Sequence, residues 1–332
     1  MKMAGIRIVD IDIYHPATKV HNDFYIEHFD ARGVDIRGLL KALGRDTRYK
    51  IDNDDENSLS MAFEATSNLL EKTGLTGADI DLIAYASQTP EYIFPTNSLM
   101  IHRLINGASH TICIDSNANC AGMTAAFEQV SRQMLGNPRI RRALIIGSDY
   151  VAPHASPDDP VYFANFGDAA AAVIIERDEH AVGFIDSIYQ TDTCVYGNSL
   201  FPAEGLAKLG KTGVDAGAFH VKFIPFDDSI CVDAASESIR TLLARNEIGP
   251  DEIRAACFSQ LSISNIRAVS DNVGIGDDIA VYIGDEFGYT STSSPFIALH
   301  RAVTTGQIQR GDKVLFWTVG AGWQNVAMVV EY

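Results

Sequence analysis

The chain has 332 residues, 46% hydrophobic and 21% charged, enough apolar material for one or two compact domains and too little bias for a disordered or membrane-embedded chain. It contains no run of eighteen apolar residues, and its opening, MKMAGIRIVDIDIYHP, lacks a basic start followed by an apolar stretch, so a cytoplasmic location is expected. A net charge of −17 disfavours nucleic acid and anionic lipid, which need a basic face, and five cysteines without C-x-x-C spacing are expected to be reduced thiols holding neither disulfide nor zinc.

In chain order, GLTGADIDLIAYASQ (74–88) reads as a loop, a short helix start and a buried strand. TICID (111–115) is a second buried strand, and it runs into SNANCAGMTAAFEQVSR (116–132), where Ala118, Ala121, Gly122, Ala125 and Ala126 permit close helix packing. The one basic run, Arg139, Ile140, Arg141 and Arg142, reads most simply as a solvated loop before the strand RALIIGSDY (142–150). Docking of an acidic carrier protein or a phosphate is its functional alternative. AAAAVIIE (169–176) supplies a further apolar strand.

The pattern then repeats. ARNEIGPDEIRAACFSQ (244–260) matches the first segment with Ile80 on Ile253, a shift of 173 residues. At that fixed shift 116–132 falls on YTSTSSPFIALHRAVTT (289–305), with Ser291, Ser293, Ser294 and Ala298 as its small residues, and 142–150 falls on LFWTVGAGW (315–323). NVAMVVEY (325–332) closes the second half as AAAAVIIE closes the first. Two halves, 1–178 and 179–332, are therefore expected to be α/β units with their small-residue helices buried between two sheets, a five-layer α-β-α-β-α body with pseudo-twofold symmetry.

Cys120 falls where a buried strand turns into the first of those helices. A helix N-terminus offers unpartnered N–H groups and the positive end of the macrodipole, both of which favour the nucleophilic thiolate. A small buried hydrophobe is the plain alternative, and Cys113, Cys194, Cys231 and Cys257 are left to it.

The segments SNANCAGM, TPEYIFPTNS (89–98), FGDAAAAVII (166–175), GYTSTSS (288–294) and VGAGW (319–323) together resemble the β-ketoacyl-acyl-carrier-protein synthase III family of the thiolase superfamily, from about residue 4 to 332. The resemblance implies a thiolase fold and a cysteine, Cys120, that takes an acyl group from acyl-CoA or from the phosphopantetheine of an acyl-carrier protein, with no resident cofactor or metal. It implies an oxyanion site made of the backbone N–H groups of Cys120 and Gly322, phosphate contacts from Arg48 and Lys50, and an acyl-pocket segment at Phe94 and Pro95, donated across a homodimer. Arg48 has a plainer reading too, an ion pair with the acidic run DNDDE (52–56). The family triad is Cys, His, Asn; here Ser259 stands at the histidine position and Tyr289 at the asparagine position.

Neither hydroxyl serves as a base near neutral pH. Acyl loading on Cys120 is expected to survive and standard decarboxylative condensation to be weakened. His154, in PHASPDDPVYF (153–163), is the best replacement base by position; His300 reads as packed or surface-facing, and His102 and His110 as buried with one hydrogen bond each. Three functions follow: a ketosynthase III-like enzyme of a fatty acid or polyketide pathway, an acyltransferase passing the acyl group to an alcohol or amine, and a non-catalytic subunit of a heterodimer.

Overall fold

A computed structural model describes residues 4–208 and 211–332. Its strands are β1 (Gly5–Tyr14), β2 (Thr18–His21), β3 (Thr47–Lys50), β4 (Leu82–Ala86), β5 (Ile112–Ser116), β6 (Arg142–Asp149) and β7 (Ala169–Asp178), then β8 (Phe184–Thr191), β9 (Ser199–Leu200), β10 (Lys222–Phe223), β11 (Ile253–Phe258), β12 (Lys313–Gly320) and β13 (Gln324–Glu331). The first half builds a sheet in the order β1-β7-β6-β4-β5, the second a sheet in the order β11-β12-β13-β8. In both, a parallel pair (β4 with β6, β11 with β12) is followed by antiparallel partners (β7 and β1, β13 and β8). The expected internal repeat is thus a repeat of topology.

Side chains alternate across each strand, so every strand feeds two layers. Ile145, Val173 and Ile175 point inward with Phe316 and Met328 of the second sheet. Leu144, Ile146 and Ile174 point outward beneath Met61, Ala65 and Leu69 of the helix Ser58–Thr73, whose start is fixed by a capping box between Asn57 and Ser60. On the far side Leu315, Trp317 and Val329 meet the helices Ser229–Arg245 and Ile263–Val273. Between the sheets lie the helices Gly122–Gly136 and Ser294–Thr304, with the rings of Phe127 and Phe296 5.9 Å apart. The five expected layers are all present.

Among the described residues, the two main sheets differ by one strand. β5, at the edge of the first sheet, delivers the chain to Cys120. Its counterpart is reduced to a bridge between Ala256 and Ala280. The expected start of the first core helix also shifts: regular helix begins at Gly122, two residues after Cys120. The preceding turn includes Asn119 at φ 54°.

Candidate active site

Cys120 opens onto a cavity of about 490 Å³ walled by apolar side chains including Leu43, Phe166, Phe223, Phe226 and Trp323, with Asp228 its one charged lining residue among those described. Ser259, Tyr289 and Gly322 line the same cavity, so four residues far apart in sequence converge. They do so because β5, β11 and β12 all end on this side of the body and the loop 288–293 lies across them.

The close approach has steric requirements. A Cβ on Gly320 would lie 2.5 Å from the carbonyl oxygen of Ala118, so only glycine lets the end of β12 touch the loop that carries Cys120. Gly322 takes φ 80° at the turn between β12 and β13, another glycine conformation. The Asn119 side chain then donates to the carbonyl of Ala321 at 3.0 Å and ties the two loops together. Among the described residues, the N–H groups of Cys120 and Gly322 meet no protein acceptor.

Ser259 and Tyr289 face each other, their hydroxyl oxygens 3.1 Å apart and both side chains buried. Tyr289 packs against Cys120 and Phe166. Burial drives the Tyr289 hydroxyl well above the usual phenol range, and the nearby sulfur adds to that rise; it is a donor at neutral pH and no base.

The sulfur itself departs from expectation. Burial raises the Cys120 thiol above its ordinary value, outweighing hydrogen bonding from Ser291, Tyr289 and Gln88 that pulls the other way. The thiol sits two residues before the first residue of regular helix, at the margin of the dipole's reach. Ser291 Oγ donates to Sγ at 3.5 Å and Gln88 Nε2 approaches it at 4.0 Å. Sequence reasoning named neither residue as a candidate. Gln88 ends the first repeated segment and Ser291 lies within the second small-residue helix segment, but only folding places them together.

Two further expectations are corrected. Arg48 cannot meet a phosphate: its side chain is fully buried, stacked 4.1 Å over the Tyr25 ring, and its guanidinium donates to the Ala164 carbonyl and to Asn22 Oδ1 at 2.6 Å. It has no carboxylate partner among the described residues either, so the ion-pair reading fails as well. Burial lowers its pKa to about 10. Lys50 lines a separate pocket of about 200 Å³ with Tyr25, Ile51 and Phe163, and burial lowers its pKa. In the β2–β3 hairpin Thr47 and Arg48 are buried, which a charged string such as GRDTRYKI conceals.

Phe94 is 85% exposed, Pro95 is exposed beside it, and neither lines this chain's cavity. His154 packs against Phe201, ring centroids 4.3 Å apart, and is absent from the cavity wall. His102 is half-buried and bonds the Ala108 carbonyl, close to its plain reading; His110 departs from its own, being exposed at the surface 3.3 Å from Asp81. Arg142 pairs with Glu176 at 2.6 Å; Arg139 and Arg141 are exposed at the start of β6, the end remote from Asp149 and the site.

Fold and site together define a thiolase-fold chain with a cavity-facing cysteine. Residues 114–193 match the family model for 3-oxoacyl-[acyl-carrier-protein] synthase III and residues 243–332 match the model for its C-terminal part, about half of the chain between them. The chain belongs to the β-ketoacyl-acyl-carrier-protein synthase III family of the thiolase superfamily. Similar proteins include β-ketoacyl-[acyl-carrier-protein] synthase III of Serratia proteamaculans, 28% identical over 84% of this chain and 85% of that one. The enzyme of the same name from Clostridium beijerinckii is 24% identical over 99% and 100%. The crystal structure of 3-oxoacyl-[acyl-carrier-protein] synthase III from Aquifex aeolicus matches with a TM-score of 0.86 at 21% identity, covering 99% of this chain and 100% of that one.

Proposed function

We propose that this chain is a ketosynthase III-like enzyme that accepts an acyl group on Cys120 from acyl-CoA or an acyl-carrier protein and then condenses it with a carbon nucleophile. The observation that carries the reading is the Cys120 sulfur at the wall of an apolar cavity large enough for a small-molecule ligand, with two free N–H groups from Cys120 and Gly322. In the loading step the sulfur bonds to the thioester carbonyl carbon and the carbonyl oxygen takes the negative charge, held by those N–H groups. Collapse breaks the donor's C–S bond, and the departing sulfur receives the proton Cys120 gave up.

The second half-reaction is where the replaced triad matters. The hydroxyls of Ser259 and Tyr289 are placed to donate to an enolate oxygen on an extender thioester, which supports condensation. No histidine lines the cavity among the described residues, and this favours a second reading, transfer of the acyl group to an alcohol or amine that needs no decarboxylation.

A homodimer completes the proposal. β5 is a sheet edge with Ile112 and Ile114 exposed at 36% and 37%, and the exposed Phe94 segment lies at the neighbouring loop. Such an edge is suited to pairing with a second copy, which would carry Phe94 toward the partner's site.

Intact-mass measurement after incubation with acyl-CoA or acyl-carrier protein tests the loading step. The expected result is one acyl adduct on the wild type and none on Cys120→Ala; no adduct from either donor would leave the non-catalytic subunit standing. Adding malonyl-carrier protein to the loaded enzyme should release carbon dioxide and a ketoacyl product. Discharge only by an alcohol or amine would establish transfer instead.

A further inference from the structure

The polar cluster behind the sulfur has a construction of its own. Ser291 is fully buried and sits at φ 57°, a backbone conformation few non-glycine residues occupy unless their surroundings impose it. Its hydroxyl oxygen accepts a hydrogen bond from Gln88 Nε2 at 2.5 Å. With that lone pair engaged, the hydroxyl hydrogen is free to point at Sγ of Cys120, 3.5 Å away.

Both partners hang from one carboxylate. Asp149, buried at the end of β6, accepts from Ser87 Oγ at 2.9 Å, from the N–H of Gln88 at 2.8 Å and from the N–H of Thr89 at 3.2 Å. Its other oxygen accepts from the N–H of Thr292 at 3.2 Å. One side chain therefore fixes the loop that carries Gln88 and the loop that carries Ser291. Thr292 Oγ1 in turn accepts from the N–H of Met123 at 2.7 Å, anchoring the same loop to the helix that follows Cys120.

We infer that Ser291, aligned by Gln88 and with both held in place by Asp149, is the hydrogen-bond donor that sets the thiolate character of Cys120, in place of a basic side chain. The thiolate accepts the Ser291 hydrogen; no proton is transferred to Ser291, and the proton that leaves Cys120 goes to solvent or to the departing sulfur of the donor. Asp149 is a positioning residue. The other groups facing the sulfur are the hydroxyls of Tyr289 and Tyr162, while the negative charge of Asp149 opposes ionisation. Asp149 thus helps through the bonds it accepts and not through its charge.

The inference rests on Cys120 being the nucleophile, but its test needs no acyl donor. The rate of Cys120 alkylation by iodoacetamide is followed against pH by peptide mass, with exposed Cys194 as the internal control. Ser291→Gly removes the hydroxyl and suits the left-handed backbone. It should raise the Cys120 midpoint by about one pH unit, so that labelling below the midpoint slows about tenfold, with Cys194 unchanged. Gln88→Met should raise it by a smaller amount, about half a unit, and decides the matter if Ser291→Gly fails to fold. A Cys120 midpoint that stays put or falls in the folded variants would overturn the inference. A shifted midpoint in a protein that never forms an acyl adduct would sink the proposed function and leave this inference intact.

Discussion

Cys120 and Ser293 occupy matching places in the two halves, 173 residues apart, each at the mouth of a central helix. Cys120 is half-buried with its sulfur on the cavity wall. Ser293 is fully buried, and its hydroxyl donates to the carbonyls of Ala169 and Thr290, each at 3.0 Å. The first half uses five strands to deliver its loop to open space; the second, among the described residues, has four, and its loop folds down onto the first sheet. A duplicated framework therefore makes one nucleophile position and one structural pin, and the difference lies in what the adjoining loop covers, not in the helix.

The two positions should differ most in their reactivity. Cys120→Ala should abolish the acyl adduct entirely, whereas Ser293→Ala should keep it, both read by intact mass. Moving a thiol to the second position sharpens the point: Ser293→Cys should show no labelling by iodoacetamide at position 293 in the folded protein, because a fully buried side chain offers no path to the reagent. Labelling there at the rate of Cys120 would show the halves to be equivalent after all.

The pH dependence comes next. Burial holds the Cys120 thiol above its ordinary value, so the neutral form dominates at pH 7 and alkylation should climb about tenfold per pH unit until the midpoint is reached. The linkage has the matching sign: a raised thiol pKa gives stability that is present below the unfolded-state value and lost as pH rises through the folded-state value, so urea midpoints should decline in the alkaline range. A labelling rate already flat between pH 6 and 8 would mean an ionised thiol and contradict the geometry.

Smaller effects separate scaffold from site. Arg48→Met should cost about 1–3 kcal/mol in urea unfolding, since it strands the buried Ala164 carbonyl, with KM for acyl-CoA unchanged. A KM effect without a stability loss would restore the phosphate reading. Ser293→Ala should be mildest, about 1 kcal/mol by the same measurement, for the hydrogen bonds it gives to Ala169 and Thr290.

Much of this molecule is legible in the chain alone. The fixed shift between the halves, the apolar run AAAAVIIE and the small residues after Cys120 dictate two sheets around a pair of helices, because apolar periodicity and side-chain size are local properties that survive into the fold. The convergence of Cys120 with Ser259, Tyr289 and Gly322 followed from the family likeness of their segments and is met by the cavity they share. Tertiary structure alone decided the rest. Whether Arg48 meets water or the Tyr25 ring, whether burial raises a thiol, and which of several loop serines reaches the sulfur depend on packing between segments far apart in the chain, and desolvation and hydrogen-bond direction exist only once those segments touch.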